Sequence, residues 1–321
     1  MASSGGSPSR RTTPAARRTI MSQDPHEAHD ATRPEPNFDL ITDDGLDTFP
    51  DLETDLPIVP FGLHFGGETF DSTSMPMEEL FSRLKSDGPH PTTSQPTPEA
   101  FAEHYRRAER PLLVITLSAA LSGSRNSAEQ ARALVPEADV EIHDARTLSA
   151  AQAFQLHAAS LARAAGQTRD AAIEAMRSMH QATELFFTLD TLEYLRKGGR
   201  IGRVQAALGN VLNLKPVVTV DKDTAAYETV GRARTWSKAR STLADLVTKK
   251  FGEGTAIRVG LVQGEDVEDA MSILEQLRAR HPIAWHGVAK VGSALAIHTG
   301  PRAVALAAAP AALPWTVADL G

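Results

Sequence analysis

Short apolar runs alternate with longer stretches of helical period along this chain, and that alternation most constrains what it can fold into. The runs at 38–42 (FDLIT), 57–61 (PIVPF), 112–117 (LLVITL), 139–144 (DVEIHD), 184–190 (ELFFTLD), 257–262 (IRVGLV) and 294–298 (ALAIH) have the length and character of strands. Helical patterns lie near 77–86, 98–108, 124–135, 148–165, 169–180, 203–212, 236–250 and 266–279. Within 148–165, Leu148, Ala151, Phe154, Ala158, Leu161 and Ala165 return to one face, as an amphipathic helix requires. Such alternation predicts an α/β fold of mainly parallel sheets flanked by helices. The segment 215–231 departs from it: two strand-like runs flank the polar turn from Asp221 to Thr224, which predicts a hairpin. A boundary near residue 180 divides the ordered part into an amino-terminal α/β lobe, 38–180, and a carboxy-terminal one, 181–321.

With 321 residues, 41% of them hydrophobic, the chain can build the cores of two ordinary domains. A net charge of −7 argues against nucleic acid as a partner, because phosphate neutralisation needs a concentrated basic face. The absence of cysteine excludes disulfides and thiolate chemistry. No apolar run approaches the roughly 20 residues of a membrane span, and no charged segment leads into the apolar core of a signal peptide. The expectation is a soluble, cytoplasmic protein without stable membrane insertion. Residues 1–37 are rich in Ser, Pro, Arg and Thr without periodicity and read as a disordered tail. Four arginines precede Asp24 with no acidic residue among them, as in organelle transit peptides, but a floppy tail or a true start at Met21 ranks above targeting.

Three loops bear chemically capable residues. In 89–101, Thr97 can cap a helix begun by Pro98, which sets Thr92, Thr93 and Ser94 just before a helix start. Their hydroxyls could bind an anion there or could serve only their own backbone. In 112–131 a buried strand runs into a turn with Ser118, Ser122, Gly123 and Ser124, at the carboxyl end where open α/β sheets hold ligands. The spacing is not that of a nucleophile elbow, and helix capping by Ser124 or Asn126 is the competing role. In 292–303, His298 ends the last strand-like run and meets Thr299, Gly300 and Pro301. A lone histidine there is more often structural, but its ring could donate to a carboxylate. The eleven histidines form no metal-ligand spacing, so neither a metal nor a cofactor is expected.

The stretch DTLEYLRKGGRIGR, 190–203, reads as helix, glycine break, helix. Its G-G-R-I-G matches neither the Walker pattern nor the dinucleotide fingerprint. Arg196, Lys197, Arg200 and Arg203 are four cations within eight residues, either a solvated face or a docking patch for an acidic partner.

Taken in order, TTSQPTPEAF (92–101), LSAALSGSRNSAEQA (117–131), DTLEYLRKGGRIG (190–202), LNLKPVVTV (212–220) with GRARTWSKA (231–239), and IHTGP (297–301) resemble the DegV family of bacterial fatty-acid-binding proteins. The resemblance runs from about residue 39 to 305. It implies a two-lobed α/β fold with one long-chain fatty acid at the junction of the lobes, its carboxylate held by hydroxyls and its acyl chain buried. It further implies a non-catalytic carrier that presents the carboxylate to a separate fatty acid kinase subunit. Burial of the chain is worth about 0.8 kcal/mol per CH₂, so a long tail supplies affinity while the headgroup still requires donors. Carried over by motif, those donors are Thr93, Ser94, the Ser118–Ala119 loop and His298. Arg200, Arg203, Arg232 and Arg234 face the partner. Three departures stand out. The family's usual D-S-T aligns with Asp43, Asp44 and Gly45, which loses two hydroxyls, Ala119 replaces the second serine of a pair, and Arg302 replaces a glycine. The alternatives are a hydrolase or acyl-transfer enzyme using a loop serine with His298, and a regulatory protein that senses lipid.

Overall fold

The computed structural model describes residues 1, 35–50, 52, 56–86, 88–202, 204 and 214–314. The expected tail and the helix expected at 203–212 therefore lie almost wholly outside the described residues. Asn37, at the end of that tail, donates its side-chain amide to the Gly166 carbonyl at 2.5 Å.

Pro34–Gly321 forms one compact unit. Its first sheet has the order β2-β1-β6-β7, from Asp39–Asp43 (β1), Ile58–Val59 (β2), Leu112–Thr116 (β6) and Val140–Asp144 (β7). Every pairing in it is parallel, as the strand–helix alternation predicts. On one face Ile41, Leu112 and Val114 pack against Phe101, Ala102 and Tyr105 of α2 (Pro98–Arg107) and Ala128 and Ala131 of α3 (Ser124–Leu134). Thr97 caps α2, accepting from the Ala100 amide at 3.2 Å, with Pro98 in the first turn. The opposite face, with Leu40, Leu113 and Ile115, meets α4 (Ser149–Ala164) and α5 (Arg169–Ala182).

These two helices share their core with a second sheet. Its order is β10-β9-β8-β13-β11-β12, from Glu184–Leu189 (β8), Lys215–Val220 (β9), Tyr227–Ala233 (β10), Ile257–Gln263 (β11), Ile283–Lys290 (β12) and Ala303–Pro310 (β13). The strand alternation divides its faces. Leu185, Phe187 and Leu189 point to the shared core, whereas Phe186, Val304 and Leu306 meet Leu243, Val247, Ile273 and Leu277 of the two helices Trp236–Phe251 and Val267–Arg278.

The second sheet corrects the expectation of mainly parallel strands, since only β11 and β12 pair parallel. β8, β9 and β10 follow one another as antiparallel neighbours, and β13 returns between β8 and β11 antiparallel to both. Its Ala-rich sequence favours helix by propensity, yet its alternate residues fill a sheet centre. The run 294–298, expected as a strand, is instead part of a helix, Ser293–Thr299, that stops at Gly300 with φ +81°. The hairpin forms as expected, with Tyr227 opposite Val220. A third, small antiparallel sheet, β4-β3-β5, comes from Gly62–Phe65 (β3), Glu68–Asp71 (β4) and Thr92–Ser94 (β5). Among the described residues, no helix is long and apolar enough to cross a membrane.

Candidate functional site

Strand β5 carries three hydroxyls, of which those of Thr93 and Ser94 point to opposite sides. Thr93 pairs with the buried Leu63 and so faces inward, while Ser94 pairs with Gly62 and faces outward. Inward, Thr93 Oγ1 lies 2.8 Å from His298 Nε2. Outward, Ser94 Oγ lies 3.0 Å from His64 Nε2, whose Nδ1 is 3.0 Å from Thr69 Oγ1. Only Thr93 is therefore joined to His298.

His298 sits at the carboxyl end of Ser293–Thr299, a helix anchored at its start. Asp47 accepts from the Gly292 amide at 2.6 Å, and Ser293 Oγ donates to the Ser72 carbonyl at 2.6 Å. The ring packs against the glycine break of the 190–203 stretch. A Cβ on Gly198 would lie 2.1 Å from His298 Nδ1, and reciprocally a Cβ on Gly300 would lie 2.3 Å from Tyr194 Cδ2. Two short helices thus interlock, each lending a glycine to the other's ring. Gly198 makes room for the imidazole, a requirement of packing.

Burial pushes His298 down to about 3, with the positive charge of Arg200 and the neighbouring His90 adding to the effect. The ring is neutral at physiological pH. With the proton on Nε2 it donates to Thr93, which leaves the threonine O–H free to donate to a carboxylate oxygen. Arg200 donates to the Gly198 carbonyl at 2.7 Å and is half-buried. The resemblance sets it on a partner-facing side; the structure brings its charge to the histidine. Arg203 lies outside the described residues. Arg232 and Arg234 are exposed, on and just after the edge strand β10.

Ser118 is fully buried, donating its hydroxyl to the Ala225 carbonyl at 2.6 Å and accepting from the Ala120 amide at 3.2 Å. It ties the β6 loop to the hairpin turn and does not meet His298 within hydrogen-bond reach. Ala119 is exposed, its amide donating to Asp144 at 3.3 Å. The loop nonetheless adjoins β5, because Gln95 donates to Ser127 Oγ at 2.9 Å and covers Gly123, where a Cβ would come within 1.7 Å of Gln95 Oε1.

The Asp43-Asp44-Gly45 segment near the amino terminus has a structural role. Asp43 is fully buried and accepts from the Leu117 amide at 3.0 Å and the Gln152 side chain at 3.1 Å, joining β1, β6 and α4. Burial raises its carboxyl, against hydrogen bonds from Ser124, Gln152, Leu117 and Gly45. Burial also pushes Asp44 up to about 7 and Asp47 up to about 6. Arg302 lies over the Trp236 ring at 5.2 Å and 4.0 Å from Asp190, so its cation is engaged away from His298.

An apolar cavity of about 40 Å³ opens beside the same helix, with Leu295 and Thr299 on its wall one turn apart. Leu148, Phe187, Tyr227 and Val291 enclose it, and Ala303 and Ala305 of β13 keep its floor low by carrying only methyl groups. The sequence signal for these residues is the alternating Ala run of β13, legible only once that run is a strand. Tyr227 stacks edge-on to Phe187 at 5.3 Å, and Ser149 enters the wall with φ +58° while its hydroxyl donates to Asp47. The helix Ser293–Thr299 thus gives His298 to the polar cluster and Leu295 to the apolar space.

This arrangement has relatives. A DegV domain-containing protein of Deinococcus radiodurans is 48% identical over 87% of this chain and 98% of its own length. Protein DegV of Bacillus subtilis is 27% identical over 78% of this chain and 90% of its own. Among solved structures, a DegV family protein from Thermus thermophilus, described for its fatty acid binding, superposes with a TM-score of 0.78 at 30% identity, covering 85% of this chain and 99% of that one. The Fak B3 protein of Streptococcus pneumoniae, loaded with linoleic acid, shares the fold at 18% identity with a TM-score of 0.75, covering 86% and 100%. The family model described as "Uncharacterised protein, DegV family" matches residues 37–311, and this chain belongs to the DegV family.

Proposed function

We propose that this protein is a non-catalytic carrier of one long-chain fatty acid, with the carboxylate at Thr93 and His298 and the acyl chain in the apolar cavity. The observation that carries the reading is the helix Ser293–Thr299, which turns a neutral histidine toward a threonine hydroxyl and a leucine toward an apolar space. Fatty acid binding by the 30% identical Thermus thermophilus protein supports it. Arg200 supplies a positive charge beside the headgroup. At about 40 Å³ the cavity has room for roughly three water-sized spheres, so an acyl chain enters by turning side chains such as Leu295 and Phe187 aside.

The two larger sheets act as two lobes divided near residue 180, with the site at their junction. Ser94, Ser118 and Ala119 surround the headgroup region rather than grip it directly. Arg232 and Arg234 offer a cationic face to a separate, ATP-using fatty acid kinase subunit in the cytoplasm, which converts the carboxylate to an acyl phosphate. The hydrolase reading loses its nucleophile, since the Ser118 hydroxyl is engaged by the Ala225 carbonyl.

Denaturing mass spectrometry of the purified full chain, followed by titration with oleate and palmitate, tests the carrier reading. Stoichiometric fatty acid, or saturable uptake of either probe, is expected. Neither co-purified nor added fatty acid at one per chain would sink it. Acyl-phosphate formation with a kinase subunit tests the partner separately.

A further inference from the structure

Apart from the cavity and the Thr93–His298 pair, a cleft of about 450 Å³ opens beside β7, the edge strand of the first sheet. That volume lies within the roughly 300–1,000 Å³ of small-molecule pockets. The cleft is polar where the acyl cavity is apolar. Arg125 reaches it from α3, Arg146 from the loop after β7 and Arg177 from α5, together with His143 and His180. Two carboxylates also line it. Asp144 is already engaged by the amides of Ala119 and Arg146, and Glu141 is exposed.

A hydrogen-bond chain fixes where the imidazole protons lie. The buried Gln155 donates Nε2 to the Ala145 carbonyl at 2.9 Å, which defines the two ends of its amide. Its Oε1 then accepts from His143 Nε2 at 3.1 Å, and its Nε2 donates to His180 Nδ1 at 3.4 Å. His180 Nδ1 is therefore an acceptor, and the neutral ring holds its proton on Nε2. That Nε2 is buried and has no hydrogen-bond partner among the described residues. A donor left so is costly unless something accepts from it.

The charges around both rings favour an anion. Burial pushes His180 down to about 4, and Lys222 and Arg146 push the same way, against the smaller opposing effect of Asp144. Burial lowers His143 too, against its bond to Gln155, with Arg177 and Arg125 adding. Arg125 is only loosely held, 3.8 Å from Asp144 and 3.9 Å from Glu129, and Arg177 pairs with Glu174 within its own helix. Pairs this long or this exposed are worth little and give way to a stronger anion.

We propose that this cleft is a second ligand site, for a phosphate or phosphoester anion, clamped by Arg125 and Arg177 with His180 Nε2–H as the buried donor. The site adjoins the loop of the first. Asp144 holds the Ala119 amide, and Arg146 donates to the carbonyls of Lys222 and Asp223 on the hairpin turn at 2.9 and 2.8 Å.

The test titrates inorganic phosphate and adenosine monophosphate into the full chain at constant ionic strength, read by calorimetry and by the His180 ring resonances. Saturable binding that shifts those resonances is expected, weakened at least about tenfold, or 1.4 kcal/mol, by Arg125→Ala and by Arg177→Ala. Their side chains are 44% and 63% exposed, so both variants retain the fold, which unchanged circular dichroism checks. His180→Phe keeps the ring and removes the donor, and is expected to weaken binding as well. Tighter binding of the nucleotide assigns a phosphoester ligand; equal binding assigns free phosphate. Absence of saturable binding by either probe, or binding unaffected by the arginine variants, overturns the proposal. Neither result bears on fatty acid uptake, which is measured separately.

Discussion

Thr93 and Ser118 are both hydroxyls beside a turn, yet they do opposite work. The Thr93 hydroxyl meets a neutral imidazole and retains the capacity to donate outward. The Ser118 hydroxyl is fully buried and occupied at both ends by backbone, a carbonyl on one side and an amide on the other. A hydroxyl is available to a ligand when its partner can exchange roles with it, and a neutral histidine can. A backbone carbonyl cannot. The first region is thus suited to binding and the second to holding the hairpin against the β6 loop.

The strongest way to break this contrast is Gly198→Ala. With a Cβ 2.1 Å from His298 Nδ1, the ring must leave Thr93 or the two short helices must separate. Fatty acid affinity is expected to fall about a hundredfold, near 2.7 kcal/mol, and stability by about 1–3 kcal/mol, as calorimetry and urea denaturation would record. Unchanged affinity would show that His298 does not serve the headgroup.

A paired substitution separates the two regions. His298→Ala should weaken oleate binding at least about tenfold with little loss of stability. Ser118→Ala, which leaves the Ala225 carbonyl without its donor, should cost about 1–3 kcal/mol of stability and leave affinity nearly unchanged. The reverse pattern would exchange the roles given above.

Acid provides a third comparison. His298 lies near 3 in the fold and near 6.5 unfolded, so its neutral form favours the folded state. That contribution is fully present above pH 6.5 and is lost as pH falls toward 3, because the unfolded chain takes the proton first. Urea midpoints at pH 7 and pH 5 should differ by about 1–2 kcal/mol more in the wild type than in His298→Gln. Asp44 and Asp47 act in the opposite sense. Their raised carboxyls contribute stability below 3.8 that is lost as pH rises through about 6 to 7, equally in both proteins.

Two smaller effects refine the picture. Arg200→Glu sets a negative charge beside the headgroup and should weaken binding severalfold, losing most of that effect at high salt. Affinity unaffected by Arg200→Glu would return this residue to a purely partner-facing role. Ala119→Ser restores a hydroxyl on an exposed loop position and should change oleate affinity by less than about threefold. A larger gain would mean that the loop closes onto the ligand.

Much of the fold was legible in the sequence because burial imposes periodicity. The continuous apolar run of β6 reads as a central parallel strand, and Thr97 with Pro98 marks the start of α2 through purely local chemistry. The failures have separate local causes. β13 is an alanine run whose propensity points to helix, and the helix containing His298 is too short to display a period. β12 is an edge strand with mixed exposure and lacks a clean alternation. At the candidate site, motif order singled out Thr93 and His298, which the fold brings together, but the opposite directions of Thr93 and Ser94 needed the register of β5 on β3.

By itself the sequence determined the α/β architecture, the capped α2, the hairpin and the glycine break in 190–203, because each follows from contacts between residues near in the chain. Only the tertiary structure decided that Gly198 serves His298, that Ser118 is engaged by Ala225 and that Arg200 lends its charge to the histidine. Those partners are separated by about a hundred residues, and nothing but the packing of two sheets on shared helices brings them together.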